Sequence, residues 1–369
     1  MPSVAEVVRR YGPEYLERFG DRMPAAHRKV LRDIAGCRTG ALGTALYRCE
    51  DCGRIHAVGR SCGDRHCPSC QRDKAEAWLA KQVDRLLPCP YFLVTFTLPA
   101  ELRDVARAHQ RAVYGALFAA SSAALRAVMA EPKFLGADRP GFFGVLHTWG
   151  RALEYHPHVH YVVPGGGISA EGDRWVSSRP GFLVPVRALS VVFRAKFREA
   201  LRDEGLLDRV DPSVWRRDWV VHCEPTGDGQ RSLRYLAPYV FRVAIGDHRI
   251  VSCDDGRVTF TYRKVGSNRR RTMTLDAMEF LRRFLQHVLP SGFAKVRYYG
   301  FLSPAAGVAL ELVRRLIAAW SGGPSEPEPA RVGSASSAPS DGPRCPSCGG
   351  RLVLLGFEPA AGVPVFDTS

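Results

Sequence analysis

Histidines at alternate positions, His156, His158 and His160, constrain what this chain can fold into more than any other stretch. Side chains on a strand point to opposite faces in turn, so a strand through His158-Val159-His160 puts both imidazoles on one face and Val159 on the other, towards a core. Two imidazoles so placed can grip one divalent cation and leave positions open for phosphate oxygens. His147 lies eleven residues before His158 on another strand-like run, Phe142 to Trp149, and an antiparallel hairpin of the two would carry it to the same ion. Glu154 and His156 compete for that third place.

Downstream stands Tyr235-Leu-Ala-Pro-Tyr239. Tyrosines four apart on a helix share a face. Proline is tolerated only in the first turn of a helix, which places the expected helix start near Tyr235. An arbitrary pair of this kind packs on a core, but beside a metal-gripping strand Tyr235 and Tyr239 read as paired nucleophiles. A phenol titrates near pH 10 and gains from a nearby cation and base. Attack by tyrosine keeps the energy of a phosphodiester in a covalent link, so a cut strand can be rejoined without ATP.

Lys and Arg outnumber Asp and Glu by 52 to 37, a formal charge of +15 and a pI near 9.6, which favours polyanions and above all nucleic acid. Arg263-Lys264, Arg269-Arg270-Arg271 and Arg282-Arg283 concentrate that charge around an expected hairpin beside Phe260 and Tyr262, a mixture suited to backbone contact with base stacking. With 369 residues and 46% hydrophobic composition the chain can bury a sizeable core. No run of about 18 apolar residues stands out and Met1 to Arg10 lacks a secretory signal, so a cytoplasmic protein is expected. Eleven cysteines there favour metal over disulfides.

Cys49-x2-Cys52 and Cys67-x2-Cys70 are separated by fourteen residues, a spacing that lets two knuckles meet around one structural zinc ion. Cys37, His56, Cys62 and His66 are surplus ligands and leave open a different quartet or a second ion. Arg54, Arg60, Arg65 and Arg72 interleave with them and could face phosphates or bases. The expected organisation is N-terminal helices, broken at Tyr11-Gly-Pro13, with the zinc module over 1–88. A catalytic domain over 89–302, a helix over 303–320, a flexible Ser/Pro/Gly-rich linker over 321–344 and a C-terminal CxxC tail over 345–369 follow. Cys345 and Cys348 alone cannot complete a zinc site and would need ligands from elsewhere.

The text Ser61-Cys-Gly-Asp-Arg-His-Cys-Pro-Ser-Cys-Gln71, Pro90-Tyr-Phe-Leu-Val-Thr-Phe-Thr-Leu-Pro99, His147-Thr-Trp-Gly150 with His156-Pro-His-Val-His160, Tyr235-Leu-Ala-Pro-Tyr-Val-Phe-Arg-Val-Ala-Ile245 and Val296-Arg-Tyr-Tyr-Gly-Phe-Leu302 resembles the two-tyrosine HUH transposases of rolling-circle insertion sequences, of the insertion sequence ninety-one type. The resemblance covers about Ile34 to Leu302. It implies an α+β fold, with a central antiparallel sheet and flanking helices, plus the N-terminal zinc-binding module. It implies that His158 and His160 bind magnesium or manganese and that Tyr235 and Tyr239 form 5′-phosphotyrosine links on single-stranded element ends and target DNA, releasing 3′-hydroxyls. A bacterial, nucleoid-associated place of action goes with it. A replication initiator or relaxase with the same chemistry, and a non-catalytic zinc-ribbon DNA-binding protein, are the rival readings.

Overall fold

The computed structural model describes residues 2–241, 244–263, 269–322 and 342–360. They fall into two compact units that interleave in sequence, one drawn from 1–72, 245–288 and 328–369, the other from 73–244 and 289–327. Whereas the sequence suggested contiguous segments ending at 88 and 302, the first unit gathers its parts from three places along the chain.

In the first unit the helix Val4–Phe19 opens on a cap, Ser3 Oγ accepting the Glu6 N–H at 3.1 Å. The break expected at Pro13 does not occur, and the helix runs through it. Burying the stripe Val4, Val7, Val8, Tyr11 and Tyr15 outweighs the roughly 3 kcal/mol that an interior proline costs. The Tyr11 hydroxyl donates to the Cys253 carbonyl at 3.1 Å, and Asp247 accepts the Val4 N–H at 2.9 Å, which ties this helix to the hairpin region. The expected hairpin is present as Arg257–Arg263 paired with Arg270–Asp276, and helix Ala277–Leu285 follows, capped by Asp276. A separate three-stranded antiparallel sheet places Thr44–Cys49 between Ile55–Gly59 and the C-terminal strand Leu352–Glu358.

The second unit is built on a five-stranded sheet in the order Val296–Tyr299, Phe142–Trp149, Tyr155–Pro164, Tyr91–Thr97, Val221–Pro225, with every neighbouring pair antiparallel. One face carries Val94, Phe96, Leu146, Val159 and Tyr161, which pack with Leu117 and Phe118 of helix Gln110–Ala130 and Phe193 and Phe197 of helix Val186–Asp203. On the other face Leu93, Phe143, Val145 and Val162 pack with Leu233, Leu236 and Val240 of helix Gln230–Phe241. The fold is α+β, as expected. Helix Gln110–Ala130 is long and apolar enough to cross a membrane by length and composition alone, but 67% of its apolar window is buried inside the unit, as in a core helix.

Phe96 has no exposed surface and meets the rings of Tyr161 and Phe193 edge-on at 5.8 and 5.0 Å. Phe96→Ala should cost about 3–5 kcal/mol, read as a lowered urea midpoint at unchanged m-value.

Candidate active site

The strand register puts His147 directly opposite His158, while Val145 and Thr95 flank His160 from either side. The three histidines share the sheet face that helix Gln230–Phe241 covers, and one nitrogen from each lies within 4.8 Å of the others. Their ring centroids are 4.6–5.2 Å apart. On the opposite face the strand is held at two points: Tyr155 shares a hydroxyl hydrogen bond with Tyr114 at 2.6 Å, and Tyr161 shares one with Ser121 at 2.7 Å.

Hydrogen-bond partners orient two of the rings. His158 Nδ1 donates to the His156 carbonyl at 2.6 Å, and His160 Nδ1 lies 2.7 Å from Thr95 Oγ1. With Nδ1 engaged, Nε2 of each ring is the nitrogen presented to an ion. His147 stacks on Trp149 at 4.9 Å, and Lys295 Nζ lies 4.8 Å over the same indole. Burial pushes His158 down to about 4 and holds His147 and His160 well below the usual histidine range, with the charges of neighbouring rings adding to it. All three are therefore neutral at neutral pH, the form that binds metal.

The competitors for the third place are engaged elsewhere. His156 Nδ1 faces the Arg103 guanidinium at 3.1 Å, and Glu154 accepts the Ala152 N–H at 2.9 Å in the turn before the strand. Thr95, Lys295 and Arg103 were not singled out from the sequence. Thr95 sits in the strand-like run 91–98, but only the strand register pairs it with His160.

The tyrosine helix begins at Gln230, not near Tyr235, so Pro238 lies inside it. Asp228 accepts the Gln230 N–H at 3.0 Å and fixes that earlier start, and buried Leu233 and Leu236 anchor the helix to the sheet. Tyr235 is 48% exposed, with its ring perpendicular to that of His160 at 6.0 Å between centroids. The backbone of Tyr239 belongs to the same helix, and its side chain lies outside what the structure describes.

The structure does not bring Cys49 and Cys52 to Cys67 and Cys70. Cys67 and Cys70 instead meet Cys37 and Cys62, and Cys49 and Cys52 meet Cys345 and Cys348. The fourteen-residue spacer contains strand Ile55–Gly59, which carries the chain about 17 Å from the first knuckle. Cys37 follows helix Ala25–Gly36, and its sulfur is 3.3 Å from that of Cys70. Cys62 and Cys70 are 3.5 Å apart, Cys37 and Cys67 3.8 Å. A hydrogen bond from the Cys62 thiol helps hold Cys67 down to about 6.

Residues 7–98 match the family described as "Transposase zinc-binding domain", and residues 141–308 match that described as "Putative transposase". Among curated relatives, "Putative transposase y4qJ" of Sinorhizobium fredii (strain NBRC 101917 / NGR234) is 41% identical over 321 residues, 82% of this chain and 80% of its own. The "Transposase for insertion sequence element IS801" of Pseudomonas savastanoi pv. phaseolicola is 29% identical over 296 residues, 74% of this chain and 70% of its own. The chain belongs to the IS91-type insertion-sequence transposases. No solved structure matches it.

The transposase spreads its expected DNA-contacting residues over different settings. Arg269, Arg270 and Arg271 are exposed at the start of the hairpin's second strand, whereas Arg65 is half-buried in the cysteine module and burial lowers its pKa. Lys264 lies outside the described residues.

A histidine whose folded pKa is depressed leaves the unfolded chain binding more protons below the ordinary value near 6.5. Metal-free transposase should therefore hold its stability above pH 6.5 and lose it as pH falls towards 4, with His158 alone accounting for on the order of 3 kcal/mol. Urea titrations in chelator at pH 7.5, 6 and 5 measure this, and His158→Asn should flatten the slope.

Proposed function

We propose that this transposase is a single-strand DNA endonuclease and strand transferase that moves its own insertion sequence by a rolling-circle route. The observation that carries the reading is Tyr235, half-exposed, beside three neutral histidines that converge on one face of the sheet. In this reading the Tyr235 hydroxyl attacks the scissile phosphorus. The tyrosine O–P bond forms as the bond from phosphorus to the 3′-oxygen breaks, leaving the 5′-phosphate on tyrosine. The phenol's proton is passed through solvent, and the departing 3′-oxygen ends as a hydroxyl. Tyr239 serves as the second nucleophile, so that two links can be held at once.

His147, His158 and His160 would hold a magnesium or manganese ion, which when bound neutralises charge on the phosphate in the transition state. The His156 carbonyl, which only accepts, fixes the His158 tautomer, and Thr95 Oγ1 holds the His160 ring in place through Nδ1. The half-buried Lys295 beside Trp149 adds a fixed positive charge near the site. Single-stranded element ends and target DNA are the partners, with Arg65, Lys264, Arg269, Arg270 and Arg271 making backbone contacts. Structural zinc belongs in the Cys37, Cys62, Cys67, Cys70 cluster. Three of its thiol pairs lie 3.3–3.8 Å apart, at or just inside the edge of about 3.8 Å of a tetrahedron with 2.3 Å Zn–S bonds.

Purified protein, magnesium and labelled single-stranded oligonucleotides from the element's ends should yield a covalent adduct on a denaturing gel. Tyr235→Phe with Tyr239→Phe, and separately His158→Ala, should abolish it. Cleavage without an adduct would mean attack by water, and binding without cleavage on correct ends would mean a non-catalytic protein. Thr95→Val should weaken manganese binding by about 10–100-fold, measured by calorimetric titration, with the fold unchanged by circular dichroism.

A further inference from the structure

We infer a second zinc site, formed by Cys49, Cys52, Cys345 and Cys348, that fastens the C-terminal strand to the N-terminal module. The family match to a zinc-binding domain ends at residue 98 and does not reach the last two of these ligands. Each half of the site is the same device. In Cys49-Glu-Asp-Cys52-Gly53 the Gly53 N–H donates to the Cys49 carbonyl at 3.0 Å, and in Cys345-Pro-Ser-Cys348-Gly349 the Gly349 N–H donates to the Cys345 carbonyl at 2.8 Å. Both glycines have positive φ, +70° and +77°, a conformation that turns the chain back and aims both sulfurs of a knuckle the same way.

The two knuckles face each other. Cys49 Sγ lies 3.4 Å from Cys348 Sγ, and Cys52 Sγ lies 3.8 Å from Cys345 Sγ across 293 residues of sequence. These separations exceed a disulfide bond of about 2.05 Å and match the edge of about 3.8 Å expected of a tetrahedral zinc thiolate. His56 Nε2 is 3.2 Å from Cys345 Sγ, where a ring N–H donates to a ligating thiolate. Strand pairing sets the facing: Cys49 is in register with Leu352, and the Glu50 N–H donates to the Arg351 carbonyl at 3.0 Å.

Beyond its pairing with Thr44–Cys49, the tail strand buries little. Within strand Leu352–Glu358 only Leu352 is buried, whereas Val353, Leu354, Leu355 and Phe357 are 37–63% exposed. Cys52 and Cys348 are exposed as well, so without an ion this end of the sheet would present thiols to solvent. The site draws on none of the tyrosine chemistry and stands or falls apart from it.

Full-length protein, reduced and equilibrated with a weak chelator, should carry two zinc ions per chain by native mass spectrometry. Cys345→Ser with Cys348→Ser should carry one, and so should Cys62→Ser with Cys70→Ser. Alkylation mapping on the unaltered chain reads the same site independently of how the variants fold. Cys49, Cys52, Cys345 and Cys348 should resist iodoacetamide until zinc is stripped by a strong chelator. One zinc in the full-length chain, two in the Cys345/Cys348 variant, or alkylation of these four in zinc-loaded protein at the rate of free thiols would each overturn the inference.

Discussion

The pairing of strand Tyr155–Pro164 between Phe142–Trp149 and Tyr91–Thr97 is the constraint on which the second unit depends. Side chains alternate with period two, so a slip of one residue would turn His158 and His160 towards helices Gln110–Ala130 and Val186–Asp203 and bring Val159 to the face that helix Gln230–Phe241 covers. The register is held from the far side. Tyr155 and Tyr161 bond the helix Gln110–Ala130 through Tyr114 and Ser121, at phases that leave the even-numbered histidines on the other face. Gly144 stands opposite Tyr161, and a Cβ there would come within 2.4 Å of its ring. The absence of that methyl group lets the Tyr161 ring lie flat across the strand.

The same alternation explains why these imidazoles are available to a metal. The apolar packing beneath helix Gln230–Phe241 runs through Leu93, Phe143, Val145 and Val162 and gives way to the histidines at one end of the face. Burying three imidazoles so close together disfavours protonation, because each charge would be desolvated and would repel its neighbours. A cluster satisfied only by internal hydrogen bonds would need partners for both nitrogens of every ring. Here His158 and His160 each commit Nδ1 to the protein, which leaves Nε2 as the second nitrogen of each ring. Tyr235 approaches His160 from the helix that covers the apolar part of the face, so one packing interaction sets both the histidine cluster and its distance to the phenol.

Much of this was legible in the sequence where a short-range pattern determines the outcome. Strand Phe142–Trp149 and the hairpin at Arg257–Arg263 were visible from their β-branched and aromatic content, and the grouping of His147 with His158 followed from the hairpin they imply. Prolines misled in both directions. Pro13 and Pro238 each lie inside a helix, because an amphipathic stripe on either side is buried and the starts are fixed earlier by Ser3 and Asp228. Propensity is a local cost, and packing over several turns outweighs it. Thr95 was invisible as a partner of His160, since nothing short of the strand register relates positions 65 residues apart.

The cysteines show the limit of spacing as a guide. Closing a loop costs an entropy that grows only with the logarithm of its length. Recruiting a knuckle across 293 residues rather than fourteen is therefore disfavoured by about 3 kcal/mol. Binding of a structural zinc ion supplies roughly 10–16 kcal/mol, so proximity in sequence is a weak vote against any geometric preference. The geometric preference is strong, because the pairs Cys49/Cys52 and Cys345/Cys348 each precede a glycine in the left-handed region, whereas Cys70 is followed by Gln71. Knuckles of one shape offer two sulfurs each to a shared tetrahedron. The Cys67/Cys70 pair, lacking that turn, takes its remaining sulfurs from two single residues, Cys37 after a helix and Cys62 in the adjoining loop. Which cysteines share an ion is decided by the turn that presents them, and the residue after the second cysteine carries more of that information than the distance to the next pair.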